Sequence, residues 1–298
     1  MIDYLKDKVV ITISSRALFD LEDSNRIFID AGLEEFERYQ ISHEDELLEK
    51  GNAFNLIKKI LAVSYPQTNE KAFEVVLVSR NNANTGLRVF NSIQRYGLDI
   101  TRAAFTSGAS PYRYLRAFDS SLFLSFDAGD VKEAIDNGFA AATILDNVRY
   151  EDDEPKLRIA FDGDAVIFSD EAEKIFSEKG LEEFKTSEKN NAEIPLKPGP
   201  FKDFLAAINR IQKGFEKDPP IRTALVTARN APSHKRAVKT LRDWGIAIDE
   251  AFFLGGLDKV PVLREFRPHI FFDDSFSYCI PASGVVPTGH VPSGIKNT

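Results

Sequence analysis

Residues 159–168 read IAFDGDAVIF, an apolar run that closes on two aspartates one residue apart, Asp162 and Asp164. In an extended segment, residues i and i+2 point the same way, so both carboxylates face one substrate. Three further elements place polar groups at the ends of apolar runs. Thr227 closes TALVT, Lys259 follows FFL in the GGLDK segment, and Asp273 and Asp274 close IFFDD. If those runs are neighbouring strands, four carboxylates, a hydroxyl and an ammonium converge on one pocket. Packed carboxylates repel and resist ionising together. A hard divalent cation relieves that, and Mg²⁺ takes oxygen ligands while keeping waters and a substrate phosphate in its shell. Residue types and spacing therefore point to Mg²⁺-dependent phosphoryl chemistry. Singly, each element has a plainer use: the aspartates as turn or helix caps, Thr227 as a strand residue, Lys259 as a solvated surface lysine. Their order and shared placement at strand ends carry the reading.

The elements that must hold these groups are also visible. Apolar, β-rich runs recur at 8–14, 73–79, 102–107, 122–126, 140–145, 158–161, 223–227, 250–255 and 269–273. Segments of helical spacing lie between most of them, such as TGLRVFNSIQRYG (85–97) and HKRAVKTLRDWG (234–245). Alternating strands and helices, with strands apolar on both faces, specify an α/β fold: a parallel sheet with helices on both faces. Ligands bind beyond the carboxyl ends of such strands. Asp164 and Thr227 are 63 residues apart, and helix is expected over 170–184 and 201–215, so only a small cap fits between them.

The chain repeats itself. GLEEF occurs at 32–36 and at 180–184, and the same 148-residue offset aligns VLVSRNNA (76–83) with ALVTARNA (224–231). Two tandem copies of one unit are expected, residues 1–150 and 151–298, meeting near the polar stretch NVRYEDDEPK (147–156). Asp162, Asp164, Thr227, Lys259, Asp273 and Asp274 pair with Ser14, Arg16, Ser79, Pro111, Ser125 and Phe126. The charged strand-end residues belong to the second copy alone, so the first reads as a degenerate half that kept the fold.

Composition bounds the rest. With 298 residues, 43% hydrophobic and 28% charged, the chain is long enough for one large domain or two ordinary ones. A formal net charge of −8 argues against a nucleic-acid or anionic-membrane partner. One cysteine excludes an intrachain disulfide and a Cys-based zinc site, and the four histidines show no metal-binding spacing. MIDYLKDKVV does not read as a secretory signal, and no run of apolar residues is long enough to span a membrane, so a cytoplasmic location is expected.

The motifs resemble those of the haloacid dehalogenase-like (HAD) superfamily: DGDAV (162–166), the LVTAR threonine, a lysine and the IFFDD acidic pair, in that order. SRNNANTGLRVFNSI (79–93), YGLDITRAAFTSGASPYRYL (96–115), FDGDAVIFSDE (161–171), TALVTARNAPSHKR (223–236) and FFLGGLDK (252–259) narrow the likeness to the cytosolic type I 5′-nucleotidase family, over nearly the whole chain. That resemblance implies a HAD-like fold and hydrolysis of nucleoside 5′-monophosphates through an aspartyl phosphate. It makes Asp162 the nucleophile and Asp164 the general acid and base. Mg²⁺ would be held by Asp162, the Asp164 carbonyl and Asp273, with Asp274 either a further ligand or a residue that holds the ligands in place. Thr227 and Lys259 would bind the phosphoryl oxygens, with Arg264 the substitute if Lys259 is misassigned. Arg80, Asn81, Asn82, Tyr112, Arg113 and Arg229 are expected to bind the nucleotide, the first five as a wall supplied by the first half. An effector site or a homo-oligomer interface is the rival role for that half. The rival functions are a phosphatase or phosphotransferase for another small phosphomonoester, and a non-catalytic nucleotide-binding regulator. The tail VPTGHVPSGIKNT (286–298) reads as a loose strand or as disordered.

Overall fold

Continuous Val, Ile, Leu and Phe segments form strands that must be covered on both faces. The computed structural model describes residues 8–146, 154–215 and 217–297. The first half supplies β1 (Val9–Ile13), β2 (Phe73–Ser79), β3 (Arg102–Phe105), β4 (Ser120–Ser125) and β5 (Ala141–Ile144). The second supplies β6 (Leu157–Phe161), β7 (Ile221–Thr227), β8 (Glu250–Phe253), β9 (Ile270–Asp273) and β10 (Thr288–His290). All join one ten-stranded sheet in the order β3-β2-β1-β4-β5-β10-β9-β6-β7-β8. Neighbours within each half are parallel. At the centre β5 and β10 run antiparallel, with Thr143 opposite His290 and Ile144 opposite Gly289. The carboxyl ends of the first-half strands therefore lie on one edge of the sheet, and those of the second half on the other.

The helices are α1 (Ser15–Leu18), α2 (Glu22–Ser42), α3 (Phe54–Ala62), α4 (Ala83–Arg95), α5 (Ala128–Asp136), α6 (Glu171–Asn190), α7 (Lys202–Lys213), α8 (His234–Asp243), α9 (Val260–Phe266) and α10 (Phe276–Ser283). Corresponding strands keep the 148-residue step: Val9–Ile13 with Leu157–Phe161, Phe73–Ser79 with Ile221–Thr227, Arg102–Phe105 with Glu250–Phe253. Helices α2 and α6 share a break at the same step, at Gly32 (φ 83°, ψ −176°) and Gly180 (φ 80°, ψ −178°). Only glycine adopts that backbone without strain.

One apolar cluster runs across both halves, joining Ile11, Ile13, Phe54 and Leu77 to Ile159, Phe161, Phe204 and Phe272. Two smaller clusters form separately, Val76, Val78 and Phe123 in the first half, and Ala160, Val226 and Phe271 in the second.

Of the two readings of the tail, the strand is the one the structure takes, but it is a buried central strand rather than a loose one. Thr288–His290 is the central strand β10, and the chain beyond it returns to Asp273 through Val291 N donating to Asp273 O (2.9 Å). Glycine and proline read as breakers, but at Gly289 on the seam there is no space for a side chain. A Cβ there would stand 2.9 Å from the Phe272 ring and 3.0 Å from Ala142 Cβ. Residues 147–153 of the expected linker lie outside the described residues.

Candidate active site

Strands β9, β6 and β7 are neighbours, and their carboxyl ends set the site. Phe161 is in register with Phe272 on one side and Leu225 on the other, and Asp162 N donates to Phe272 O (2.8 Å). Asp162 thus stands beside Asp273, and Thr227 ends the flanking strand. Gly163 keeps room between them: a Cβ would lie 3.1 Å from Thr227 Oγ1. Ala165 takes a left-handed φ of 61°, which turns the chain sharply after Asp164 and leaves Val166 and Phe168 fully buried.

Lys259 enters from the residue before α9 and is 1% exposed. Its Nζ donates to Asp162 Oδ1 and Asp273 Oδ2, 2.6 Å each, and lies 4.5 Å from the centre of the Tyr278 ring. Burial weighs against the charged lysine, but the two carboxylates outweigh it and hold its pKa above the ordinary value. Burial pushes the Asp162 carboxyl up to about 7 against the pull of Lys259. Burial, then the charge of Asp162, pushes Asp274 up to about 9.

Oxygens of Asp162, Asp273 and Asp274 lie within 4.8 Å of one another. Asp274 Oδ2 is buried and accepts no hydrogen bond; Lys296 Nζ stands 3.9 Å away. Three converging carboxylates with an orphaned buried oxygen are a donor set that fits a hard divalent cation. The Asp274 carbonyl is held by Asn297 Nδ2 (2.9 Å) and by His290 Nε2 (3.0 Å). Cys279 is buried behind the site, where burial raises its thiol pKa and Sγ donates to Asp273 O (3.4 Å).

The structure thus brings together Asp162, Asp164, Thr227, Lys259, Asp273 and Asp274. Arg264, the substitute for Lys259, is exposed on α9. The six residues expected to bind nucleotide are placed otherwise. Arg80, Asn81 and Asn82 follow β2, and Tyr112 and Arg113 follow β3, all at the first-half edge. Because β5 and β10 are antiparallel, that edge is opposite Asp162, and the five do not join its pocket within the chain. They have local partners instead: Arg80 holds Asp130 and the Gly108 carbonyl, and Asn82 caps α4.

Arg229 does join the site, but behind it. It is 3% exposed, with Nε and Nη2 donating to Asp164 (2.9 and 2.7 Å) and Nη1 to Glu188 and the Ser233 carbonyl. All its donating nitrogens are engaged, so it grips an acid rather than a substrate. Burial opposes its charge, but Asp164 and Glu188 hold its pKa above the ordinary value. Sequence reasoning missed Glu188, Arg236 and Lys296. The repeat carried a signal for two of them, since Glu188 pairs with Gln40 and Lys296 with Val148.

A family model described as 5′-nucleotidase matches residues 1–298. Human (Homo sapiens) cytosolic 5′-nucleotidase 1B is 43% identical over 284 residues, which cover 90% of this chain and 46% of the relative. The chain spans about half the length of that curated relative. No solved structure matches. A match along the whole sequence, over a chain that gathers its carboxylates at adjacent strand ends, places this protein in the 5′-nucleotidase family.

Proposed function

We propose that the chain is a Mg²⁺-dependent 5′-nucleotidase that hydrolyses nucleoside 5′-monophosphates to nucleoside and phosphate. The observation that carries this is the convergence of Asp162, Asp273, Asp274 and Lys259 in a member of this family. Asp162, Asp273, Asp274 and the Asp164 main-chain carbonyl are the groups that would hold the ion. When bound, it supplies positive charge to the phosphoryl oxygens and balances the carboxylates. An Asp162 oxygen attacks phosphorus; the P–O bond to the 5′-oxygen breaks, and that oxygen takes a proton from Asp164. Water then adds to phosphorus, giving its proton to Asp164, and the bond from Asp162 breaks to release phosphate. Thr227 and Lys259 hold the phosphoryl oxygens through both steps.

The two halves are read as tandem copies, 1–150 and 151–298, the first degenerate. The common 148-residue step of strands and helix breaks supports this. At the first-half counterpart of the site, Ser15 and Ser79 bond each other (2.9 Å), and Ser125 Oγ accepts from Asp127 N (3.1 Å). That half then acts as the frame against which β10 and β9 are set. A cytoplasmic place of action is in keeping with the relative's name; among the described residues no helix is long and apolar enough to cross a membrane.

The test is phosphate release from nucleoside 5′- and 3′-monophosphates, sugar phosphates and p-nitrophenyl phosphate, with Mg²⁺ or EDTA. Release confined to 5′-nucleotides, needing Mg²⁺ and lost in Asp162→Asn, is expected. Release from sugar phosphates but not nucleotides overturns the substrate reading. Stabilisation by nucleotide without any turnover overturns the enzyme reading.

A further inference from the structure

Glu188 lies on α6, outside the carboxylate cluster, and is 1% exposed. One of its oxygens accepts from Arg229 Nη1 and the other from Arg236 Nη1 (2.8 Å). Arg236 continues to Glu171 (2.7 Å), at the other end of the same broken helix. The result is an alternating chain of charges from Asp164 to the surface. Assembling buried charges of this kind is weak evidence of stabilisation, because desolvation opposes the attraction.

The first half supplies an internal comparison. One 148-residue step earlier, Arg88 stands for Arg236, Gln40 for Glu188, Asn81 for Arg229 and Arg16 for Asp164. Arg88 Nε donates to the Glu46 carbonyl (3.1 Å), as Arg236 Nε donates to the Ile194 carbonyl (2.8 Å). Arg88 Nη1 reaches Gln40 Oε1 at 3.4 Å. The arginine that ties the broken helix to the following loop is thus common to both halves and works beside a neutral glutamine. The charged branch Glu188–Arg229–Asp164 exists only where the aspartate does. Packing does not demand it.

We propose that Glu188 is a positioning residue for Asp164. It anchors one arm of the Arg229 guanidinium, and the fork so fixed holds the Asp164 carboxyl toward the leaving oxygen. A planar guanidinium sharing two carboxylates has one orientation that satisfies both. Without Glu188, Nη1 keeps only the longer bond to the Ser233 carbonyl (3.3 Å), so the fork turns more freely and Asp164 turns with it. This rests on the phosphomonoesterase reading of the site.

The test is Glu188→Gln, which installs the first half's own residue. It compares kcat/KM for a nucleoside 5′-monophosphate with kcat/KM for p-nitrophenyl phosphate. An alkoxide leaves poorly without a proton, whereas p-nitrophenolate leaves without one. The ratio kcat/KM covers steps only up to release of the leaving group. A fall of about tenfold or more on the nucleotide, with less than about twofold on the aryl ester, is expected. Equal losses on both substrates, or no loss on either, overturn the proposal. If Glu188→Gln does not fold, shown by lost aryl turnover and a lost melting transition, Glu188→Asp replaces it. That variant keeps the charge but withdraws it by one methylene, and the same split decides. A wild-type chain inactive on every nucleotide overturns the substrate reading alone. The positioning claim is then decided by glycerol phosphate against p-nitrophenyl phosphate.

Discussion

Lys259 shows how single residues divide the work of this site. Its buried ammonium sits between Asp162 and Asp273, so it neutralises charge that a bound cation would otherwise have to balance alone. Lys259→Met leaves two buried carboxylates facing each other. A loss of about 3–5 kcal/mol in urea unfolding without divalent ion is expected, with activity down about a hundredfold or more; an unchanged midpoint would show that the carboxylates find another cation. The raised carboxyls give a pH dependence. Folded Asp162 and Asp274 keep protons that the unfolded chain releases above about 4. The stability they contribute is full below that pH and is lost as pH rises through about 7 for Asp162 and about 9 for Asp274. A divalent cation needs both ionised, so it must displace those protons. The rise in Tm on adding Mg²⁺ is therefore expected to be larger at about pH 9 than at about pH 6; an equal or reversed difference sinks this assignment of the shifts. The aspartates and Thr227 were legible because they close apolar strands; Lys259, which lies beyond β8 just before α9, was legible only by its place in the order of the motifs. Arg229 was not, because a sequence shows that a cation is near a strand end but not whether it faces a substrate or an acid.

Helix α6 carries the positioning charges on both sides of its break, Glu171 before Gly180 and Glu188 after it, with Arg236 joining them. The break therefore sets the angle at which Glu188 meets Arg229. Gly32 gives α2 the same backbone, and a Cβ at either glycine would touch nothing within 4 Å. Replacing either by alanine costs backbone strain alone, about 1–3 kcal/mol. Gly180→Ala and Gly32→Ala are thus expected to lower Tm by similar amounts, while only Gly180→Ala lowers kcat. Parallel melts and rate assays check this, and equal losses of kcat would mean that α6 has no special link to the site. Strands and helices were legible from apolar runs and helical spacing. The break was not, because GLEEF reads as a continuous solvated helix and one glycine within it only hints at an interruption. The strand β10 was hidden for a related reason: its Thr-Gly-His sequence lacks the bulk that marks the other strands, and the lack of bulk is what its central place requires.

The direction of the strands is a property of the whole molecule, and no local pattern reports it. A 148-residue repeat is equally compatible with two halves facing the same way. The antiparallel seam of β5 and β10 decides otherwise, and it sends Arg80, Asn82 and Tyr112 to the far edge. The seam also bears on unfolding. The largest apolar cluster draws on both halves. Neither half can open without baring the sheet edge and part of that cluster, which disfavours a half-folded state. One cooperative transition in urea is expected. The chain has one tryptophan, Trp244, packed on Phe168 in the second half (ring centres 5.7 Å apart), so its fluorescence reports that half, while far-UV circular dichroism reports both. The two curves should coincide, and so should the loss of phosphatase activity, because β10 sets β9 and β9 carries Asp273. Gly289→Val, which drives a side chain into Phe272 and Ala142, should shift all three curves together to lower urea, by about 1–3 kcal/mol. A tryptophan transition that separates from the dichroism would mean that the halves fold as independent units and that the seam is only a contact between them.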